Sequence, residues 1–148
     1  MKIIIGTDHA GFELKEELAR FLAELGHEVE DMGAYILDGS DDYPDSIGRV
    51  ARVIAADTSA RGVILGGSGQ GEAIAANRVH GVRAAVYYGG PIEIVRLSRA
   101  HNDANVLSFG ARFISTEEAK EALTVWLHEP FTGEERHVRR IQEIDALA

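Results

Sequence analysis

Val63-Ile64-Leu65-Gly66-Gly67-Ser68-Gly69-Gln70-Gly71-Glu72-Ala73-Ile74-Ala75-Ala76-Asn77 is the stretch whose reading decides the fold. Val63 to Leu65 is a short apolar run of the kind buried on both faces of a parallel sheet. Gly66, Gly67, Gly69 and Gly71 then crowd into a turn, and Ala73-Ile74-Ala75-Ala76 are good helix formers. A strand, a glycine turn and a helix leave unpaired backbone N–H groups at the helix start, where negative charge is favoured. Without Cβ atoms the turn can approach a ligand closely. The stretch reads as an anion cradle with Glu72 at its lip. It also fits a plain glycine-rich turn in which Glu72 complements the helix dipole. It is not a dinucleotide fingerprint, because Glu72 stands where the third glycine would be. No Gly-Lys-Ser/Thr follows to make a phosphate-binding Walker loop.

Working outward, the same alternation repeats. Lys2–Thr7 reads as a buried first strand and Asp8-His9-Ala10-Gly11 as its turn. A helix follows with Leu14, Leu18, Phe21, Leu22 and Leu25 on one face and Gly26 beyond its end. His27–Met32 suits a second strand, Gly33–Tyr43 an acidic loop, and Pro44 the first turn of a helix striped by Ile47, Val50, Ala51 and Ile54. Downstream, Arg83–Tyr88 and Val106–Phe109 are the fourth and fifth strands. Between them lies a helix over Ile92–Ala100, with Ile94, Leu97 and Ser98 on its inner side, and the polar loop His101-Asn102-Asp103-Ala104-Asn105. Ser115-x-x-Glu118 is a capping box. The final segment, 134–147, is a C-terminal helix with Val138, Ile141 and Ile144 as its apolar positions. The expected fold is α/β: one Rossmann-like domain over 1–148, a doubly wound five-stranded parallel sheet with helices on both faces. Ligands in such sheets bind beyond the carboxyl ends of the strands. Asp8, His9, the Gly66–Glu72 loop, His101 and Asn102 are therefore expected to converge.

Composition narrows the classes. A net charge of −9 opposes nucleic-acid and anionic-membrane binding. The chain has no cysteine, hence no disulfide, thiolate nucleophile or thiolate metal site. The apolar run before Asp8 is too short for a signal peptide and no run could span a membrane, so a cytoplasmic domain is expected. Against this acidity stands Arg136-His137-x-Arg139-Arg140. Arg136 and Arg140 share a helix face and suit phosphate, although a solvated basic face is the plainer reading.

The motifs together resemble the ribose-5-phosphate isomerase B / galactose-6-phosphate isomerase family. They are Gly6-x-Asp8-His9-Ala10-Gly11-Phe12, Asp42-Tyr43-Pro44, Gly66-Gly67-Ser68-Gly69-x-Gly71-Glu72 and Ile74-Ala75-Ala76-Asn77. They continue as Gly81-x-Arg83-Ala84-Ala85, His101-Asn102-Asp103-Ala104-Asn105, Gly110-x-Arg112 and Arg136-His137-x-Arg139-Arg140. The resemblance implies interconversion of ribose 5-phosphate and ribulose 5-phosphate through a cis-enediolate, without metal or organic cofactor. In many members a cysteine precedes the glycine loop as the base; here that position is Gly66. A second branch carries Glu after the loop, matched by Glu72, and a desolvated carboxylate is a competent base. By the same resemblance the N–H groups of Gly67, Gly69, Gln70 and Gly71 cradle the enediolate, and Ser68 passes a proton between its oxygens. His101 is the acid that opens the sugar ring, Asp8 assists and Asn102 binds substrate. His9, Arg112, Arg136 and Arg140 hold the phosphate, while His137 and Arg139, off the Arg136/Arg140 face, matter less. Asp8 is also placed to cap the first helix. Family members are homodimers or dimers of dimers with shared sites. A four- or six-carbon sugar phosphate, a non-catalytic sugar-phosphate-binding subunit and a flavodoxin-like nucleotide binder are the rival readings.

Overall fold

A computed structural model describes residues 1–147. Its sheet contains β1 (Lys2–Thr7), β2 (Glu28–Asp31), β3 (Arg61–Gly66), β4 (Ala84–Tyr87) and β5 (Val106–Gly110), all parallel, in the order β2-β1-β3-β5-β4. The helices are α1 (Phe12–Glu24), α2 (Tyr43–Ala56), α3 (Gln70–Asn77), α4 (Glu93–Ala100), α5 (Thr116–His128) and α6 (Glu135–Asp145). The expected class is therefore the observed one. The run Ile3-Ile4-Ile5 is buried throughout because successive side chains feed two different cores. Ile3, Ile5, Val63, Leu65, Leu107 and Phe109 pack with α1 and α5 around Trp126. Ile4, Ile64 and Val106 face the other way, against Ile47, Val50 and Ile54 of α2 and Ala76 of α3.

The ends of these elements follow local chemistry. Gly26 ends α1 at φ 85°, a left-handed conformation that glycine adopts without steric penalty. Ser115 caps α5 by accepting from the Glu118 N–H at 3.2 Å, while the Glu118 carboxylate accepts from the Ser115 N–H at 2.7 Å.

Two helices depart from the sequence expectation. On α4 the buried side chains are Val95, Ser98, Arg99 and Ala100, whereas Ile94 and Leu97 face outward. The helix is turned by about one residue because Arg99 is buried against the face of Trp126, 5.9 Å away, and bonded to Asp103. On α6 only His137 is fully buried, and Ile144 is half exposed. The apolar stripe of that helix is incompletely covered by its own chain.

Candidate active site

The carboxyl edge of the sheet gathers Asp8, His9, the glycine loop and Arg112. Asp8 follows β1 and caps the short turn His9–Gly11, its carboxylate accepting from the Ala10 N–H at 3.0 Å. Asp8 was expected to cap the first helix, but it caps only this turn, and the N-cap of α1 is Gly11; the second carboxylate oxygen of Asp8 lies 3.9 Å from His9 Nδ1. His9 is held by Asp41, which accepts from the His9 backbone N–H at 3.0 Å and lies 2.6 Å from Nδ1. That hydrogen bond raises the pKa of His9 above its ordinary value, the carboxylates of Asp8 and Asp41 add to the effect, and Arg112 opposes it. The charge of Arg112 thus acts on His9 against those of Asp8 and Asp41. Asp41 comes from the acidic loop, and its role was not visible from sequence spacing.

Loop geometry depends on hydroxyl pins. Ser108 donates to the Gly69 carbonyl at 2.6 Å, which turns that carbonyl inward, while the Gln70 N–H donates to Ser68 Oγ at 3.4 Å. Thr7 donates to the Leu65 carbonyl at 3.0 Å and Ser46 to the Thr7 carbonyl at 2.6 Å, tying β1, β3 and α2 together beneath the site. Gly69 sits at φ 75° as the N-cap of α3, and a Cβ there would meet the Phe109 backbone at 2.8 Å. The Arg112 guanidinium lies over Gly67, and Tyr43 packs its hydroxyl against Gly71. Gln70 opens α3 and is exposed; Ser68 is half-buried in the loop.

Glu72 is 4% exposed, although it sits in the first turn of α3. Its carboxylate occupies the space that a side chain at 66 would need: a Cβ built on Gly66 would overlap the carboxyl carbon and Oε1, and come within 2.6 Å of Oε2. Burial raises its pKa above the ordinary carboxylate value and the nearby charge of Asp8 pushes the same way, while the backbone N–H groups of Glu72 and Gly69 partly offset both. A carboxylate that is desolvated yet in contact with loop amides is poised for proton transfer.

The expected convergence of His101 and Asn102 on this edge does not occur within one chain. They follow α4 and precede β5, so they lie at the amino end of the sheet. The Asn105 carbonyl there accepts from the N–H of Gly62, at the start of β3. A five-residue strand separates the two edges by roughly 15 Å. His101 instead stacks on His137, with ring centroids 4.3 Å apart at 15°. His137 is buried rather than peripheral, and its pKa is lowered by burial and then by His101. Arg136, on the same helix, pairs with Glu134 at 2.9 Å, and Arg140 is exposed. One chain therefore sets the candidate residues in two groups: Asp8, His9, Glu72 and Arg112 at one edge, His101, Asn102, Arg136 and Arg140 at the other.

Known proteins share this whole architecture. The profile of the Ribose/Galactose Isomerase family matches residues 3–144. The chain is 40% identical to ribose-5-phosphate isomerase B of Mycolicibacterium paratuberculosis, covering 95% of this chain and 87% of that one. It is also 40% identical to the Escherichia coli enzyme of that name, covering 99% and 95%. Among solved structures, ribose-5-phosphate isomerase B of Clostridium thermocellum superposes with a TM-score of 0.93 at 41% identity, over 99% of this chain and 97% of that one. The Mycoplasma genitalium enzyme with bound ribulose-5-phosphate gives 0.93 at 34% identity, over 99% and 95%.

Proposed function

This chain belongs to the ribose/galactose isomerase family, and on that premise we propose that it interconverts ribose 5-phosphate and ribulose 5-phosphate with Glu72 as the base. The observation that carries the reading is the Glu72 carboxylate, buried in the space left by Gly66 at the mouth of an amide-lined loop. Glu72 takes the proton from C2 of the open-chain aldose and returns one to C1. The amides of Gly67 to Gly71 stabilise the charge that develops on the enediolate oxygens, and Ser68 moves a proton between O1 and O2. His9 and Arg112 bind the phosphate. His101 protonates the ring oxygen during opening while Asp8 takes the proton of the anomeric hydroxyl, and Asn102 holds the sugar. Proton NMR in deuterated water tests the whole reading: ribulose 5-phosphate should form from ribose 5-phosphate with deuterium at C1. A protein that binds the sugar without turnover or exchange would contradict it, and erythrose and allose phosphates would then separate a wrong substrate from a non-catalytic binder.

Because the two groups lie at opposite edges, we place each working site between two copies of the chain, in a homodimer or dimer of dimers. Exposed Ile74, Tyr88 and Phe113 beside the glycine loop and the uncovered stripe of α6 support that arrangement. Complementation checks it. Glu72→Gln and His101→Ala are each expected to lose turnover of ribose 5-phosphate, yet refolding them together should restore about a quarter of the wild-type sites. A mixture no more active than its components would place the site within one chain.

The pH profile should carry two signatures. Glu72 must be ionised to act, so kcat/KM should fall as pH drops through a value above the ordinary carboxylate range. His9 binds phosphate best when protonated. Its pKa is raised, so KM should stay low through neutral pH and rise as pH passes above that pKa. Asp41→Asn should move this rise to lower pH and increase KM about tenfold near pH 8, with kcat little changed. An unchanged KM profile would remove His9 from the phosphate site.

A further inference from the structure

The loop that presents His101 and Asn102 is gripped by a charge cluster to which the mechanism above assigns no role. Asp103 follows them directly and adopts φ 44°, a left-handed conformation unusual for a residue other than glycine. Its carboxylate is held from two sides: Oδ1 accepts from Arg99 Nη1 at 2.7 Å and Oδ2 from Arg83 Nη2 at 3.0 Å. The same Arg99 nitrogen donates to the Ala104 carbonyl at 2.8 Å. Arg83 Nε reaches the carbonyls of Asn102 at 3.2 Å and Asp103 at 3.1 Å. Arg99 is buried at the end of α4, and Arg83 stands just before β4.

Simply ending α4 would need none of this. The Asp103 N–H already donates to the Arg99 carbonyl at 3.0 Å and the Ala104 N–H to the Ser98 carbonyl at 2.9 Å, which closes the turn. The left-handed turn at Asp103 belongs to the ordinary end of a helix closed by these two bonds, so the contacts left to explain are those of the arginines. What the arginines add is a link from the start of β4 to the carbonyl of Asn102 and a two-sided hold on the Asp103 side chain.

We infer that Arg83, Arg99 and Asp103 are positioning residues for opening of the furanose ring, holding His101 and Asn102 in place while taking no part in proton transfer at Glu72. The inference rests on the reading of His101 as the ring-opening acid. The chemistry allows the two steps to be measured separately. Ribose 5-phosphate is cyclic and must be opened before its C2 proton can leave. Ribulose 5-phosphate cannot close a ring through its phosphorylated O5, so exchange of its C1 proton with solvent, measured at saturating ribulose 5-phosphate, needs no ring-opening acid.

Full-length enzyme in deuterated water, followed by proton NMR, reads both rates. Asp103→Gly removes the carboxylate while tolerating the left-handed backbone, and Arg83→Gln removes one grip from a half-buried position. Both should consume ribose 5-phosphate about tenfold more slowly or worse, with C1 exchange of ribulose 5-phosphate within about twofold of wild type. His101→Ala should show the same split. If the two rates fall in step in both cluster variants, or neither falls, the cluster is not a positioning device for ring opening. Failure of the underlying reading would look different. Wild type would then exchange no deuterium, or His101→Ala itself would show no split, and either result would overturn the inference with it.

Discussion

Glu72→Gln is expected to lower kcat for ribose 5-phosphate by about 10³-fold, in the middle of the range for a general base. KM should stay within a few-fold, because the amide keeps the shape of the carboxylate and the phosphate contacts lie elsewhere. Deuterium exchange at C1 of ribulose 5-phosphate should be lost in parallel, which separates this variant from those that impair ring opening. The same substitution should stabilise the protein. The folded-state pKa of Glu72 lies above the unfolded one, so the folded chain binds this proton more tightly than the unfolded chain does. Stability therefore declines as pH rises from the ordinary carboxylate value through the raised one, and the full loss is present above it. Wild type and Glu72→Gln should have similar Tm near pH 4 and diverge at neutral pH with the variant higher, each kcal/mol corresponding to roughly 2–4 °C in a domain of this size. Substantial residual turnover in Glu72→Gln would remove Glu72 as the base.

Gly66→Ala should be nearly as damaging, although it adds only a methyl group. The new Cβ would claim the volume that the Glu72 carboxylate fills, so the carboxylate must swing away or the β3 terminus must shift. Displacing a catalytic group by about 1 Å can cost 10²-fold, and a loss of kcat of at least that size is expected. Overpacking at this buried turn should also lower stability by about 1–3 kcal/mol. Gly66→Ala/Glu72→Ala removes the conflict, so its Tm should recover part of the loss while activity stays absent, a non-additivity of about 0.5–3 kcal/mol. Full activity in Gly66→Ala would mean that Glu72 works from another position. The conflict also bears on the alternative bases that the resemblance implies, a cysteine before the loop or a glutamate after it. A cysteine at position 66 and a glutamate at 72 seated as it is here would compete for the same space.

Much of the fold was legible because it is encoded locally. Apolar triplets such as Ile3-Ile4-Ile5 and Val63-Ile64-Leu65 mark strands buried on two faces, and Gly26, Pro44 and the Ser115/Glu118 pair punctuate helices through contacts within a few residues. The glycine loop and Glu72 were legible for the same reason, since strand, turn and helix are consecutive. The inner face of α4 was misread because Arg99, polar by type, is buried through partners on α5 and in the following loop. The burial of His137 escaped notice because its neighbour is His101, distant in sequence.

By itself, then, the sequence determined the alternating α/β class, the helix ends at Gly26, Pro44 and Ser115, the family and the glycine loop that leads into Glu72. Tertiary structure alone decided that Asp41 reaches across 32 positions to hold His9, that the Glu72 carboxylate fills the vacancy of Gly66, and that His101 and Asn102 stand at the opposite edge. The reason is geometric. Residue type and spacing act along the chain, whereas the edge on which a loop emerges depends on the direction of the strand it precedes or follows. The contents of a buried space depend on which side chains, brought together by the whole fold, can share it.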